Sequence, residues 1–388
     1  MKIALGLLSI SLDALGGLNQ RAGRHICALV QAGHQVTVLQ STGAAEGSVH
    51  FYRSSEGQQV RVVQIPFRFG NGRRQYLGYP RLWMIPLDPY LPADVELLDL
   101  WEPSAHLPQR AGLRTIFSHN HFAPYIWEHA RNCGLRTAPM FLELPFLERI
   151  LRKHGRGIDG YVTQTEDQKK WLSAKYNLPA GRICAIPPGY DAEILERLRT
   201  TNQPDTTGER SIVFSGRIQA WKGVMELFQA FQMLAADYPD WRLDYVGDGP
   251  LLDRIRTAAE GAGLHGRVRL HGRMTYDQAL AVVARADIFA FPSYIETYGA
   301  SLLEAMALGI PSVATGITAI RTHLIDNGQN GLTVPIRDAT ALKLALARLM
   351  GDARLRQQVG EAGRKKVAGL TYQAYLNATL AFYRQILA

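Results

Sequence analysis

Apolar runs of strand length alternate along the chain with stretches whose apolar positions recur every three to four residues. A strand covered on both faces is continuously apolar and its crossover helix is apolar along one stripe, so the alternation predicts parallel βαβ units. The series opens at Ile3 to Ile10 and turns at Gly16-Gly17. It continues through a helix with Leu18, Ala22, Ile26 and Leu29 on one face, and returns as a strand at Val36 to Leu39. Arg61 to Ile65, Arg114 to Ser118 and Gly160 to Gln164 read as further strands of this half. The pattern breaks near Ile186-Pro-Pro-Gly-Tyr-Asp191, and the polar stretch Thr200 to Arg210, with Pro204 and Gly208, reads as a loop. A second series follows, with strands at Ser211 to Ser215, Arg242 to Val246, Val268 to Leu270, Asp287 to Phe291 and Pro311 to Ala314. Its helices run over Lys222 to Asp237 and, at the end, Tyr372 to Leu387. The expected fold class is therefore α/β, with two Rossmann-like parallel-sheet domains facing across a cleft. Ligands of such sheets bind beyond the carboxyl ends of the strands.

Length agrees with two domains, since 388 residues exceed what one growing core usually holds. With 47% hydrophobic and 20% charged residues the composition is that of a globular protein, which excludes disordered and coiled-coil classes. No apolar run approaches the ~18 residues of a bilayer span, and Ile3 to Ile10 follows only Lys2 with no small-residue cleavage pattern. It reads as a buried first strand. Cys27, Cys133 and Cys184 are odd in number and far apart, which supports neither a disulfide framework nor a zinc ribbon and fits a reducing cytoplasm. The charge is +9, from 43 basic and 34 acidic residues, so an anionic partner is expected.

Four stretches carry candidate chemistry. In Pro292-Ser-Tyr-Ile-Glu-Thr-Tyr-Gly-Ala-Ser-Leu-Leu-Glu-Ala-Met306, Glu296 and Glu304 are eight positions apart, ~12 Å along an ideal helix, too far to act as the paired carboxylates of a retaining glycosidase. A ligand as long as a nucleoside diphosphate sugar would reach both, and the helix start at Tyr298, Gly299, Ala300 and Ser301 offers free N–H groups to a diphosphate. Taken alone, a helix cap at Glu296 and a solvated Glu304 fit about as well. In Ser215-Gly-Arg-Ile-Gln-Ala-Trp-Lys-Gly223, Arg217 and Lys222 flank a turn at a strand's carboxyl end, suited to neutralising a departing diphosphate; a solvated basic loop is the other reading. Gly16 and Gly17 follow the first strand without a full Gly-x-Gly-x-x-Gly fingerprint, so they are a phosphate- or sugar-facing turn or simply a tight turn. Ser118-His-Asn-His121 offers His119, with His121 as the competing choice, as a hydrogen-bond donor to an anionic or hydroxyl group. No cysteine or Asp cluster completes a metal set with these histidines and no Asp-x-Asp pair exists, so no metal or other cofactor is expected.

Taken in order, these motifs resemble a GT-B glycosyltransferase of the retaining family 4 group. The resemblance runs over nearly the whole chain and is densest from Ser211 to Gly331. There Ser-Gly-Arg-Ile with Trp-Lys-Gly223, Val246-Gly-Asp-Gly-Pro250, Val268-Arg-Leu-His-Gly272, Ala286-Asp-Ile-Phe with Pro292-Ser293, the Glu-x7-Glu pair and Ala305-Met-Ala-Leu-Gly-Ile-Pro311 follow the family's order. Ile186-Pro-Pro-Gly-Tyr-Asp191 resembles its interdomain segment. The resemblance implies an N-terminal acceptor-side domain over 1–188, on which a C-terminal helix over 371–388 packs back, and a donor-binding domain over 189–370. It implies that Glu304 holds the donor ribose, that Arg217 and Lys222 hold the diphosphate, and that Glu296 sits by the transferred sugar. Backbone groups from Tyr298 to Ser301 and the Gly16-Gly17 turn would complete the donor cradle, and His119 would lie beside the reacting bond. Thr297 and Ala300-Ser301 depart from the family's usual residues where sugar fit is decided.

The implied activity is metal-independent, retaining transfer of a hexose from a nucleotide sugar to a hydroxyl acceptor, lipid-linked or phosphorylated among the options. An epimerase or phosphorylase of the same fold and a non-catalytic nucleotide-sugar-binding subunit are the alternatives. The resemblance places acceptors on the first domain, where Pro66 to Trp83 interleaves Arg68, Arg73, Arg74 and Arg81 with aromatic residues and no acidic ones. An anionic membrane surface, a phosphorylated acceptor and a solvated loop fit that stretch equally, so a cytoplasmic enzyme peripheral to the membrane is one expectation. Nucleic acid is disfavoured, since no nucleic-acid-binding motif accompanies the charge.

Overall fold

A computed structural model describes residues 1–8, 17–41, 48–53, 59–67, 84–101, 104, 106–118, 131–132, 144–201 and 209–388. The chain forms two compact units. One holds Met1–Pro124, Gly134–Pro187 and Tyr375–Ala388, and the other holds Tyr125–Cys133 and Pro188–Ala374.

The sheet of the first unit has eight strands among the described residues: β1 Lys2–Gly6, β2 Gln35–Gln40, β3 Val49–Arg53, β4 Gln59–Gln64, β5 Leu97–Leu100, β6 Arg114–Ser118, β7 Gly160–Thr163 and β8 Ile183–Ala185. They lie in the order β3-β4-β2-β1-β5-β6-β7-β8, parallel throughout except for the β3–β4 hairpin at one edge. β1 is central, with Ile3 opposite Val36 on one side and Leu97 on the other, which is why Ile3, Ala4 and Leu5 are all buried. The strand expected over Ile3 to Ile10 stops at Gly6, although Leu7 N–H still donates to the Leu39 carbonyl at 2.9 Å. The C-terminal helix Tyr372–Leu387 supplies Phe382 and Tyr383 to this unit's interior. There the Asp99 carboxylate, 1% exposed, accepts hydrogen bonds from Ser118 Oγ at 2.7 Å, Tyr383 Oη at 2.5 Å and Trp101 Nε1 at 3.2 Å.

The sheet of the second unit is wholly parallel. Its strands are β9 Arg210–Ser215, β10 Trp241–Val246, β11 Val268–Gly272, β12 Ile288–Phe291, β13 Ser312–Thr315 and β14 Leu332–Val334, in the order β11-β10-β9-β12-β13-β14. Apolar clusters cover it, one built on Phe214, Phe231, Trp241 and Tyr245 and another on Phe289, Phe291, Leu302 and Met306. The helix expected over Lys222 to Asp237 is shorter, Val224–Gln232, preceded by a single tight turn at Ala220–Lys222. Gly223 separates the two with φ +64, and a Cβ there would stand 2.1 Å from the Pro292 carbonyl oxygen. Only glycine lets the turn after β9 press against the segment after β12. Among the described residues no helix is long and apolar enough to cross a membrane.

Candidate active site

β9 and β12 are parallel neighbours, so their carboxyl ends emerge side by side in the second unit. After β9, Gly216 N–H donates to Val246 and Ile218 N–H to Asp248, both at 2.9 Å, which ties this turn to the one following β10. After β12, Tyr294 N–H donates to the Trp221 carbonyl at 2.7 Å, and Thr315 Oγ1 donates to the Ser293 carbonyl. The two turns are thereby joined one residue from Lys222 and two from Glu296.

Their side chains meet: Lys222 Nζ forms a hydrogen-bonded ion pair with Glu296 Oε1, the ammonium also lying 5.7 Å from the centroid of the Phe291 ring. The side chains are 20% and 13% exposed, so the pair is partly dried but still open on one side. Arg217, the other cation expected here, is exposed and has no ion-pair partner among the described residues. Glu296 is not a helix cap. The helix Ala300–Ala307 starts from Gly299 at φ +93, with no side-chain cap, and its first-turn N–H groups remain free for a ligand.

Within the Tyr298 to Ser301 stretch the side chains differ in environment. The Tyr298 ring is buried and stacked on His323, 6.0 Å between centroids and 10° between planes, and burial pushes its hydroxyl up to about 12. That ring is a packing element, so any ligand role of Tyr298 falls to its backbone. Ala300 is exposed and Ser301 half-buried at the helix start. Glu304, in the same helix, is half-buried, and Tyr276 Oη donates to its Oε1 at 2.7 Å. The reading of Glu304 as a merely solvated residue is thus replaced by a held carboxylate. Sequence reasoning missed Tyr276; the available signal was Thr275 with Gln278, which form a capping box and place Tyr276 in the first turn of helix Tyr276–Val283.

Of the candidates in the first half, Gly17 is the first residue of helix Gly17–Gln31. Gly16, His119, His121, Arg68, Arg73, Arg74 and Arg81 lie outside the described residues. Ser118, directly before His119, ends β6 with its hydroxyl bonded to Asp99. The structure therefore gathers Lys222, Glu296 and the start of helix Ala300–Ala307 on two joined turns, with Glu304 further along that helix. Among the described residues no three His, Cys, Asp or Glu side chains cluster as metal ligands. A cation beside a carboxylate, next to an uncapped helix N-terminus, suits a ligand that carries both phosphate and hydroxyl groups.

Comparison with known proteins covers the chain in two blocks. Residues 15–194 match the family model described as Glycosyltransferase Family 4, and residues 199–366 match the one described as Glycosyl transferases group 1. An exopolysaccharide phosphotransferase of Streptomyces coelicolor is 36% identical over 208 residues, 53% of this chain but only 21% of that protein's length. A glycogen synthase of Mycobacterium tuberculosis is 25% identical over 388 aligned positions, covering 95% of this chain and 91% of the relative. Among solved structures, sucrose-phosphate synthase from Thermosynechococcus elongatus superposes with a TM-score of 0.77 at 20% identity, over 99% of this chain and 98% of that one. At that identity the superposition speaks for the fold.

Proposed function

The chain belongs to the group 1 glycosyltransferases and has the GT-B fold, and from that premise we propose that it moves a hexose from a nucleoside diphosphate sugar to a hydroxyl acceptor, with retention and without a metal. The observation that carries the reading is the Lys222–Glu296 pair at the adjoining ends of β9 and β12, beside the free N–H groups of helix Ala300–Ala307. In this reading the donor diphosphate lies against the helix start, with Lys222 and Arg217 neutralising its charge. Glu304, oriented by Tyr276, accepts hydrogen bonds from the ribose hydroxyls. Glu296 accepts from hydroxyls of the transferred sugar, and His119 or His121 donates near the reacting bond.

The acceptor oxygen attacks the anomeric carbon on the face that the diphosphate leaves. The carbon–oxygen bond to the diphosphate breaks, and the acceptor's proton passes to the departing diphosphate oxygen. The leaving group is its own base, so the protein's work is to position the reactants and stabilise charge. The acceptor is proposed to be a cytoplasmic glycan, glycolipid or small-molecule hydroxyl. Arg68, Arg73, Arg74 and Arg81 are proposed to meet a phosphorylated or lipid-linked carrier or the membrane surface that holds it.

The experiment is a thermal-shift screen over UDP, GDP, ADP and their hexose conjugates, followed by assay of Glu296→Ala and Glu304→Ala. A bound donor at a hundred times its Kd raises stability by ~2.7 kcal/mol. Glu296→Ala should lose transfer by roughly 10²–10³-fold while still binding nucleotide, whereas Glu304→Ala should weaken nucleotide binding. Absence of any shift, or the reverse division between the two variants, removes the assignment. Liposome flotation of Arg73→Glu with Arg74→Glu tests the membrane arm, and flotation equal to the parent's rejects it for that stretch.

A further inference from the structure

Tyr294 lies two residues before Glu296 and is held from three directions within the second unit. Its N–H reaches the Trp221 carbonyl, one residue before Lys222, at 2.7 Å. Its carbonyl accepts from Asn132 Nδ2 at 2.9 Å, a buried bond between residues 162 positions apart. The Arg337 guanidinium lies 5.1 Å from the centroid of its ring, and burial, with the Glu226 carboxylate as a smaller cause, pushes its hydroxyl's pKa up. The ring itself is 6% exposed.

Arg337 adds an independent observation. Among the described residues only Asn177 and Arg337 are non-glycine residues at positive φ, +50 and +57. Asn177 is a helix C-cap, where Asn tolerates that conformation well. Arg337 terminates no helix, and a long side chain in the left-handed region costs of order 1 kcal/mol. The strain is kept where the residue covers Tyr294.

We infer that Tyr294 is the positioning residue of the site: it locks the turn bearing Lys222 to the segment bearing Glu296, and Asn132 and Arg337 hold it in place. The inference rests on the proposed function, in that Lys222 and Glu296 are taken as the pair that meets the donor. A displaced pair loses rate before it loses nucleotide affinity, because small misplacements act on the reacting geometry.

The test compares Asn132→Ala, Arg337→Gly and Arg337→Lys with the parent and with Glu296→Ala. The readouts are release of nucleoside diphosphate from UDP-glucose, GDP-mannose or ADP-glucose with water as acceptor, Kd for UDP, GDP and ADP, and Tm. Arg337→Gly should lower kcat about fivefold with KM and nucleotide Kd unchanged. Its Tm should stay level or rise, because glycine accepts the backbone conformation without strain. Arg337→Lys, which keeps a cation over the ring, should recover most of that rate. Asn132→Ala should lower kcat by a similar factor. Parental kcat in Arg337→Gly and Asn132→Ala overturns the inference. So does a parallel fall of kcat, nucleotide affinity and Tm, which marks general loosening. If Glu296→Ala turns over like the parent, the proposed function itself fails; if Glu296→Ala is dead while Arg337→Gly is unimpaired, only the inference falls.

Discussion

Two carboxylates, one in each unit, are treated in opposite ways. Asp99, on a central strand of the first unit, is sealed from water and accepts from a serine hydroxyl, a tyrosine hydroxyl and an indole N–H. Glu296, past the end of β12 in the second unit, keeps part of its side chain in the open and is bound to one cation. Burying a carboxylate costs several kcal/mol unless its lone pairs are satisfied, and once satisfied they have nothing left to offer a ligand. A half-open carboxylate on a single ammonium retains acceptor capacity and a cation able to turn to a phosphate. The first arrangement joins β5, β6 and the C-terminal helix, whereas the second leaves room for a ligand.

The contrast can be broken at several points. Asp99→Ala strands three buried donors and should cost about 3–5 kcal/mol, read as an early unfolding transition in thermal or urea melts; a variant that melts like the parent yet loses transfer would move Asp99 to the chemical side. Glu296→Ala should do the opposite, giving up the roughly 10²–10³-fold of rate expected above while changing unfolding free energy by only about 1 kcal/mol. Gly223→Ala should cost about 2 kcal/mol and also lower kcat, because its methyl group must push back the Pro292 carbonyl and with it the segment bearing Glu296. The smallest effect is expected from Tyr276→Phe, which removes one hydrogen bond to Glu304. Nucleotide Kd measured by calorimetry should rise about fivefold with Tm unchanged.

Much of the fold was legible as local pattern. Continuous apolar runs such as Ile3-Ala-Leu and Ile288-Phe-Ala-Phe declared strands covered on both faces. Runs that show no period by themselves are not legible in the sequence: β3, β5, β8 and β14 are strands because a neighbour completes their hydrogen bonds, β8 with only Ile183-Cys-Ala and β14 with only Leu332-Thr-Val. The helical period over Lys222 to Asp237 overruns the helix Val224–Gln232 at both ends: at the start it is blind to the left-handed Gly223 that a close approach of backbone demands, and after Gln232 the chain continues in turns.

By itself the sequence determined two parallel-sheet domains, the order of the motifs and the residue types at the candidate site, because strand periodicity, glycine turns and charge are properties of neighbours along the chain. Only the tertiary structure decided which groups meet. Lys222 and Glu296 are 74 positions apart, Tyr276 and Glu304 28, and Tyr383 and Asp99 284. Those encounters follow from strand order and helix packing. Folding sets both through the burial of distant surfaces, and no local stretch of the chain encodes them alone.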